Sequence, residues 1–470
     1  MTERLVELRR AGPEPAGASA PAARAARGPV LPVTRRAFVE TYGCQMNLGD
    51  AELMTGVLAG RGYVVVDEPG AADVIIVNTC AIRENAERRV RGRIGQLQRH
   101  REANPDLVLA VTGCMAQRLG GELLATTSGV DLVAGPDAYR DIGRLIDGIR
   151  FGELPRGQLL LALDADENYE GLSAVRHEGV TAWVTVQRGC DHRCTFCIVP
   201  YVRGPEKNRA PAAVLAEVRE AVRAGFTEVT LLGQTVNSYR HGAENFASLL
   251  RRVARVDGVR RVRFTSPHPN DVSDELIAVM AEEPAVCRQL HLPVQSGSNR
   301  VLKRMVRRYT AEQFLDTVDR VREGVPGIAL STDVIVGFPG ESEEDFEATL
   351  ALMRRVRFDD AFTYRYSPRE GTPATRLPAG DFVDEEVSGR RLETLIGLHR
   401  DIQRRIAESE VGRVEEVLVE REARSDGDVL GRTEGNKVVA FPGEPGAIGT
   451  YATVRLVSTS GATFRGERVA

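Results

Sequence analysis

The sequence predicts an α/β protein in three parts: a small N-terminal domain on a parallel sheet, a partial (β/α)6 barrel, and a small C-terminal β-barrel. Three observations carry this expectation. ADVIIVNT is an almost continuous apolar run, as a strand buried on both faces requires. Between residues 178 and 405 an apolar strand pattern is followed by a helical one six times over. Beyond residue 406 short strands are punctuated by Gly and Pro.

Residues 1–34 are rich in Ala, Pro and Arg with little periodicity, and read as a disordered extension. Residues 35–150 form the first domain. RAFVETYG, ADVIIVNT and LVLAVTG are its strands, with helices over 50–61 and 83–101 between them. Residues 151–177, including the acidic DADENYE, lack a pattern and are expected to be a linker.

In residues 178–405 the strands are TAWVTVQ, EVTLLGQ, VRFTS, QLHLPVQ, IALSTDVIVG and DAFTYRY. Helix-like stretches follow them, for example at 212–224, 274–282 and 311–323. Repeated βα units of this kind close into an open, TIM-like barrel. Residues 406–470 carry EEVLVERE, VLGRTEG, KVVAFPG and YATVRLVSTS, the strands of a small barrel or sandwich.

The chain has 470 residues, too many for one ordinary domain, and 42% are hydrophobic, enough for large cores. It holds no apolar run of 18 residues and MTERLVELRR lacks the apolar block of a secretory signal, so neither a membrane span nor export is expected. The expected location is the cytoplasm, and the absence of a coiled-coil repeat suggests a monomer. The net charge of −4 does not point to a partner. The only lysines are Lys207, Lys303 and Lys437; base composition explains so strong an arginine bias more readily than phosphate binding does.

Seven cysteines in a long chain of this class argue for metal or redox chemistry over a disulfide framework. Cys190, Cys194 and Cys197 form CxxxCxxC just after the first barrel strand. Three thiolates so close can hold three irons of a 4Fe–4S cluster and leave the fourth iron open to a small molecule. In a barrel of this type that loop lies at the face where active sites form. Structural zinc is the competing reading, with His192 as a fourth ligand, but its place between the cysteines gives it poor reach to the same ion.

Cys44, Cys80 and Cys114 are far apart in sequence but equivalent in pattern: YGC, NTC and TGC each follow a strand of the first domain. In a parallel sheet all three thiols reach the carboxyl edge, where open α/β sheets bind ligands, and nearby helix N-termini favour thiolate. A second three-cysteine cluster site follows; three ordinary core cysteines are the alternative. Cys287 has no such companions and is expected to pack in the barrel.

The chain from about residue 36 onward resembles the radical SAM methylthiotransferases. The resemblance rests on TYGCQMNLGD, NTCAIRENAE, TGCMAQR, RGCDHRCTFCIVPYVRG, LLGQTVNSY, HLPVQSGSNRVLKRMVRRYT, DVIVGFPGE and YSPREGTPA. The final barrel resembles a TRAM domain, an RNA-binding module. Gly43-Cys44-Gln45-Met46-Asn47 is similar to the branch acting on dimethylallyladenosine; the branches acting on threonylcarbamoyladenosine or a ribosomal-protein aspartate usually differ there. Ala51 stands where this branch usually has Ser, and Thr235 where Asn is usual.

The resemblance implies two 4Fe–4S clusters and S-adenosylmethionine (SAM) as cofactors. Cys190, Cys194 and Cys197 would hold the cluster that chelates SAM. Cys44, Cys80 and Cys114 would hold an auxiliary cluster carrying the sulfur. Phe196, Gln234, Asn237, Asp333 and Gly337 would line the SAM pocket. One SAM would methylate the sulfur, and a second would yield a radical that removes hydrogen from carbon 2 of N6-dimethylallyladenosine at position 37 of tRNA. The implied partners are the tRNA anticodon loop, an electron donor and a sulfur source. Methylthiolation of another substrate, or a non-catalytic iron–sulfur RNA-binding protein, are the alternatives. Candidate RNA contacts are Arg83, Arg88, Arg89, Arg91, Arg93, Lys303, Arg304, Arg307 and Arg308, against an ordinary solvated helix face. Residues 406–470 hold 11 acidic and 8 basic side chains, a net of −3, so RNA binding there would use a minority face.

Overall fold

A computed structural model describes residues 35–81, 84–176 and 179–469, with residues 84–86 and 88 described by backbone alone. The expected extension at 1–34 and the candidate contacts Arg83 and Arg88 lie outside the described residues and side chains. The chain divides into two compact units. The first holds residues up to Asp164 together with Leu172–Val175; the second holds Ala165–Gly171 and everything from Arg176.

The first unit is built on six strands: β1 (Arg35–Thr41), β2 (Tyr63–Val65), β3 (Val74–Thr79), β4 (Val108–Gly113), β5 (Leu132–Ala134) and β6 (Gln158–Leu160). They lie in the order β2-β1-β3-β4-β5-β6, all parallel. Every residue of β3 and β4 is buried, which is why both read as unbroken apolar runs. The sequence pattern predicts three of these strands, β1, β3 and β4. The other three are only three residues long, too short to show a period, and β6 falls within residues 151–177. Helix α1 (Gln45–Ala59) begins immediately after Cys44, five residues before the expected start. Helix α2 (Glu84–Leu97) buries Val90, Ile94 and Leu97 with Ile75, Val77, Leu109 and Val111 in one core. The chain passes from β1 to β2 on one side and then to β3 on the other, so the strand order reverses at β1. Open α/β sheets bind ligands at such a switch point.

In the second unit six strands follow in sequence: β7 (Thr181–Thr185), β8 (Glu228–Leu232), β9 (Arg261–Phe264), β10 (Gln289–His291), β11 (Ala329–Val336) and β12 (Asp360–Arg365). β7, β8 and β9 pair in parallel, as do β10, β11 and β12. A parallel bridge between Val262 and Val286 links the two halves. This is the expected partial barrel. Three of its helices start where short polar side chains close the first turn: Ser273, Thr310 and Ser342 each accept from a backbone N–H two to three residues into the following helix.

A 26-residue helix, Glu385–Glu410, leads to a closed five-stranded barrel of β13 (Val414–Glu422), β14 (Asp428–Arg432), β15 (Val438–Pro442), β16 (Tyr451–Ser460) and β17 (Thr463–Arg468). Val417, Val419, Val429, Val439, Phe441, Val454, Leu456 and Phe464 fill it. β17 escapes a sequence pattern because its one large apolar residue, Phe464, is followed by Gly466, where a Cβ would lie 2.2 Å from Val454.

Three arginines at the start of β9 dock this barrel on the larger one. Arg261 donates to the carbonyls of Arg432 and Glu416, and Arg263 to those of Thr433 and Glu434. Arg260 lies over the Tyr451 ring at 3.7 Å and pairs with Glu416. Arg263, itself buried, is held by Glu228 at 3.1 Å.

Candidate functional site

In the first unit β1, β3 and β4 are adjacent and in register, with Thr41 beside Asn78 and Thr79 beside Gly113. Cys44, Cys80 and Cys114 follow these strand ends. Neighbouring strands are about 4.8 Å apart, so thiols at successive strand ends share one edge within the reach of a compact cluster. Cys80 is 4% exposed and Cys114 7%, and Cys44 is half-buried. Cys44 is the N-cap of α1 and Cys114 opens the short helix Cys114–Leu119, so both residues stand at helix N-termini.

The edge is shaped by groups that leave no slack. At Gly43, with φ +146°, a Cβ would lie 2.7 Å from the Cβ of Cys80. At Gly113, with φ +92°, it would lie 2.3 Å from the carbonyl of Thr79. Asn47 donates to the Thr79 carbonyl at 3.1 Å and to the Asn78 side chain at 3.3 Å, while Asn78 donates back to the Asn47 carbonyl at 2.7 Å. The Cys44 sulfur is 3.4 Å from the Asn47 side-chain oxygen. These two asparagines tie the start of α1 to the end of β3. Sequence reasoning did not single them out, although Asn47 and Asn78 both lie within the quoted cysteine motifs.

In the second unit the CxxxCxxC loop leaves the carboxyl end of β7. Its base is pinned where Gln187–Arg188 pairs with Lys207–Asn208. Gly189 has φ +72°, and a Cβ there would meet the Pro205 carbonyl at 1.9 Å, so the loop can close only with glycine. Cys190 and Cys194 are 9% and 8% exposed. Burial pushes the Cys197 thiol up to about 12, with the charge of Cys194 adding to the effect, and burial raises Cys190 as well. Thiols held this way keep their protons unless a cation replaces them, which is how metal binding and thiol ionisation are coupled. The Cys190 sulfur is 3.2 Å from the Thr235 hydroxyl, and Arg307 donates to the Cys194 sulfur at 3.3 Å.

A second anchor comes from residues expected to be linker. Ala165–Gly171 belongs to this unit, and Tyr169 lies under the Arg188 guanidinium at 3.4 Å. Arg188 also donates to the Glu167 carbonyl at 2.7 Å. It is fully buried and precedes Gly189-Cys190 directly.

The remaining candidates sit at the same carboxyl edge but differ in use. Phe196 packs against Val301, Met305, Phe338 and Ala374. The Gln234 side-chain oxygen is buried and accepts no hydrogen bond among the described residues. Asn237 is committed to the protein: it bonds both the N–H and the carbonyl of His268. Asp333 lies 3.3 Å from the His291 ring. Gly337 makes its close approach to the protein: a Cβ would sit 2.6 Å from that of Ser388, and its N–H is bound by the Glu341 carboxylate.

His192 is stacked on His268 at 4.1 Å, and these two with Asp271 could in principle hold an ion. The His268 Nδ1 instead accepts from the Asn270 N–H, and burial with the charge of Arg307 presses its ring down to about 2. Cys287 is buried at the amino end of β10, beyond the Val262–Val286 bridge and away from the CxxxCxxC loop at the carboxyl end of β7. Of the basic candidates, Arg91 pairs with Glu122, Arg93 with Glu40 and Arg304 with Asp381, and Arg307 turns inward; Arg89, Lys303 and Arg308 are exposed.

Comparison with known proteins adds to this geometry. Residues 184–353 match the radical SAM superfamily, 36–135 match the uncharacterized protein family UPF0004, and 408–469 match the TRAM domain. A protein of Moorella thermoacetica is 44% identical over 93% of this chain and 99% of its own, and one of Chloroherpeton thalassium is 42% identical over 92% and 96%. Both are named tRNA-2-methylthio-N(6)-dimethylallyladenosine synthase. Among solved structures, the radical SAM methyltransferase TsrM from Kitasatospora setae aligns over 73% of this chain and 74% of its own, with TM-score 0.56 and 14% identity, a likeness of fold.

Proposed function

The chain belongs to the family of tRNA-2-methylthio-N(6)-dimethylallyladenosine synthases, and from that premise we propose that it methylthiolates carbon 2 of N6-dimethylallyladenosine at position 37 in the anticodon loop of tRNA. It is a radical SAM enzyme with two 4Fe–4S clusters and SAM as cofactors. The observation that carries the reading is the presence of two separate cysteine trios, one spread over the carboxyl ends of three parallel strands and one in the loop that leaves the carboxyl end of β7.

Cys190, Cys194 and Cys197 would hold one cluster and Cys44, Cys80 and Cys114 the other. Three sulfurs in each trio would leave room at each cluster for a further ligand, SAM at one and the sulfur to be donated at the other. When bound, these groups would supply one-electron chemistry and the donated sulfur, with two SAM used per product. An aromatic C–H has no acidic proton for an ordinary base, which is why such cofactors are needed.

This chain's residues position and exclude. The buried sulfurs of Cys190 and Cys194 keep water from the cluster edge. The orphaned oxygen of Gln234 is available to a hydrogen-bond donor of SAM, and Phe196, packed against Val301, Met305, Phe338 and Ala374, would line the same pocket. Asp333, 3.3 Å from the His291 ring, would line the same pocket, and Asn237 and Gly337 would shape its walls through His268 and Ser388. Exposed Arg89, Lys303 and Arg308 are the side chains for tRNA phosphates. The target adenosine lies in a loop and is splayed out of its stack to reach the pocket. Electron donor and sulfur source are separate molecules, and the chain works as a monomer in the cytoplasm. No helix among the described residues is long and apolar enough to cross a membrane.

The test is to incubate the cluster-loaded protein with SAM, a reductant and tRNA bearing either dimethylallyladenosine or threonylcarbamoyladenosine, then to analyse nucleosides by mass. A methylthio product from the first alone supports the reading. A product from the second, or SAM cleavage with no methylthio nucleoside, contradicts it.

A further inference from the structure

Two side chains outside the cysteine motif touch the sulfurs of the CxxxCxxC loop. The Thr235 hydroxyl is 3.2 Å from the Cys190 sulfur, and an Arg307 guanidinium nitrogen is 3.3 Å from the Cys194 sulfur. Neither is an incidental surface contact. Thr235 is 3% exposed, and its backbone is fixed by an N–H bond to the Gln187 side chain at 2.9 Å. Arg307 is held by two neighbours: it donates to the Tyr309 hydroxyl at 3.0 Å and to the Pro293 carbonyl at 3.3 Å, and its cation lies 5.1 Å from the Tyr309 ring centre. Tyr309 is in turn buried and tied to the Pro293 and Val294 carbonyls.

The chemistry of the sulfurs decides the direction of these bonds. A cysteine bound to iron is a thiolate and has no proton to give. The Thr235 hydroxyl must then be the donor to Cys190, as Arg307 is to Cys194. A hydrogen bond to a cluster sulfur, and a positive charge beside it in a poorly screened interior, both stabilise the state with one more electron. Cluster potentials are set by such contacts, by net charge and by exposure.

We propose that Thr235 and Arg307 are positioning residues that raise the reduction potential of the cluster held by Cys190, Cys194 and Cys197, and so ease the one-electron reduction on which SAM cleavage depends. The electron comes from the external reductant, and no bond in the protein forms or breaks in that step. Arg307 contributes both a charge and a donor, Thr235 a donor only, so Arg307 has the larger effect. The inference rests on the ligand assignment proposed above.

The experiment uses the full chain carrying Cys44→Ala/Cys80→Ala/Cys114→Ala, so that a single cluster gives the signal. Its reduced state is followed by electron paramagnetic resonance at a series of poised potentials, with iron measured on each sample. Thr235→Val keeps the shape and removes the donor; Thr235→Ser restores it. Arg307→Gln removes the charge; Arg307→Lys keeps it. We expect Arg307→Gln to lower the reduced-to-oxidised ratio at a fixed potential about tenfold, a shift of about 59 mV for one electron. Thr235→Val should lower it severalfold, with Thr235→Ser at the parent value and Arg307→Lys between parent and Gln. Unchanged potentials in Thr235→Val and Arg307→Gln, at unchanged iron content, would overturn the proposal. A parent triple variant that binds no iron would overturn the ligand assignment itself, and the proposal with it.

Discussion

Gly43 and Cys80 meet across the carboxyl edge of the first sheet so closely that a Cβ on Gly43 would lie 2.7 Å from that of Cys80. The glycine also takes φ +146°, where a side chain is strained whatever the space. Gly43→Ala should therefore push apart the strand ends that carry Cys44 and Cys80. The expected result is loss of about four of about eight irons, with SAM cleavage by the second unit retained. Retention of all the iron would show that the edge tolerates the extra methyl and is not a tight cluster cradle.

The buried Arg263–Glu228 pair is the second point of sensitivity. Arg263→Met leaves Glu228, 3% exposed, without its charge partner and removes the bonds to Thr433 and Glu434. Breaking such a pair costs about 3–5 kcal/mol. Denaturant unfolding of the variant should show a loss of that size, and Arg263→Met/Glu228→Leu should recover part of it. A loss within about 0.5 kcal/mol, the size of an ordinary surface change, would mean the docking arginines contribute little.

Much of this was legible in sequence, and for physical reasons. Strands β3 and β4 are buried on both faces, so their apolar runs were unmistakable, and six βα units announced the barrel. The six clustered cysteines could be paired into trios because each trio shares one local pattern. Short strands such as β5 and β6 carry no period to detect. The role of Tyr169 under Arg188 was hidden because it is a tertiary contact from a stretch with no pattern of its own. Arg307 looked like one more surface arginine among its neighbours in KRMVRR, and only the fold shows it turned toward Cys194.

Phe441 is fully buried in the C-terminal barrel beside Val429, Val439 and Phe464. Phe441→Ala should cost about 3–5 kcal/mol of stability. Because the barrel holds none of the cysteines, iron content should stay unchanged while tRNA binding weakens, measured by filter retention at fixed salt. Loss of iron in this variant would contradict the separation of these roles.

Acid sensitivity should arise in part at Asp345. Burial raises its carboxyl, but hydrogen bonds from Arg300, Ser298 and Ser342 outweigh that and bring it from 3.8 to about 2. A carboxyl lowered on folding stabilises the native state above its unfolded value and loses that contribution as pH falls toward the folded one. Stability should thus fall between about pH 4 and pH 2, and Asp345→Asn should flatten that part of the acid-unfolding curve. An unchanged curve would mean the Arg300–Asp345 pair contributes nothing to folding.

The most direct measurement is iron and sulfide on anaerobically purified protein, for the full chain and for Cys44→Ala/Cys80→Ala/Cys114→Ala. Two trios at two strand edges predict about eight irons falling to about four. About four in both would make Cys44, Cys80 and Cys114 core residues, and the methylthio-transfer reading would fall with them.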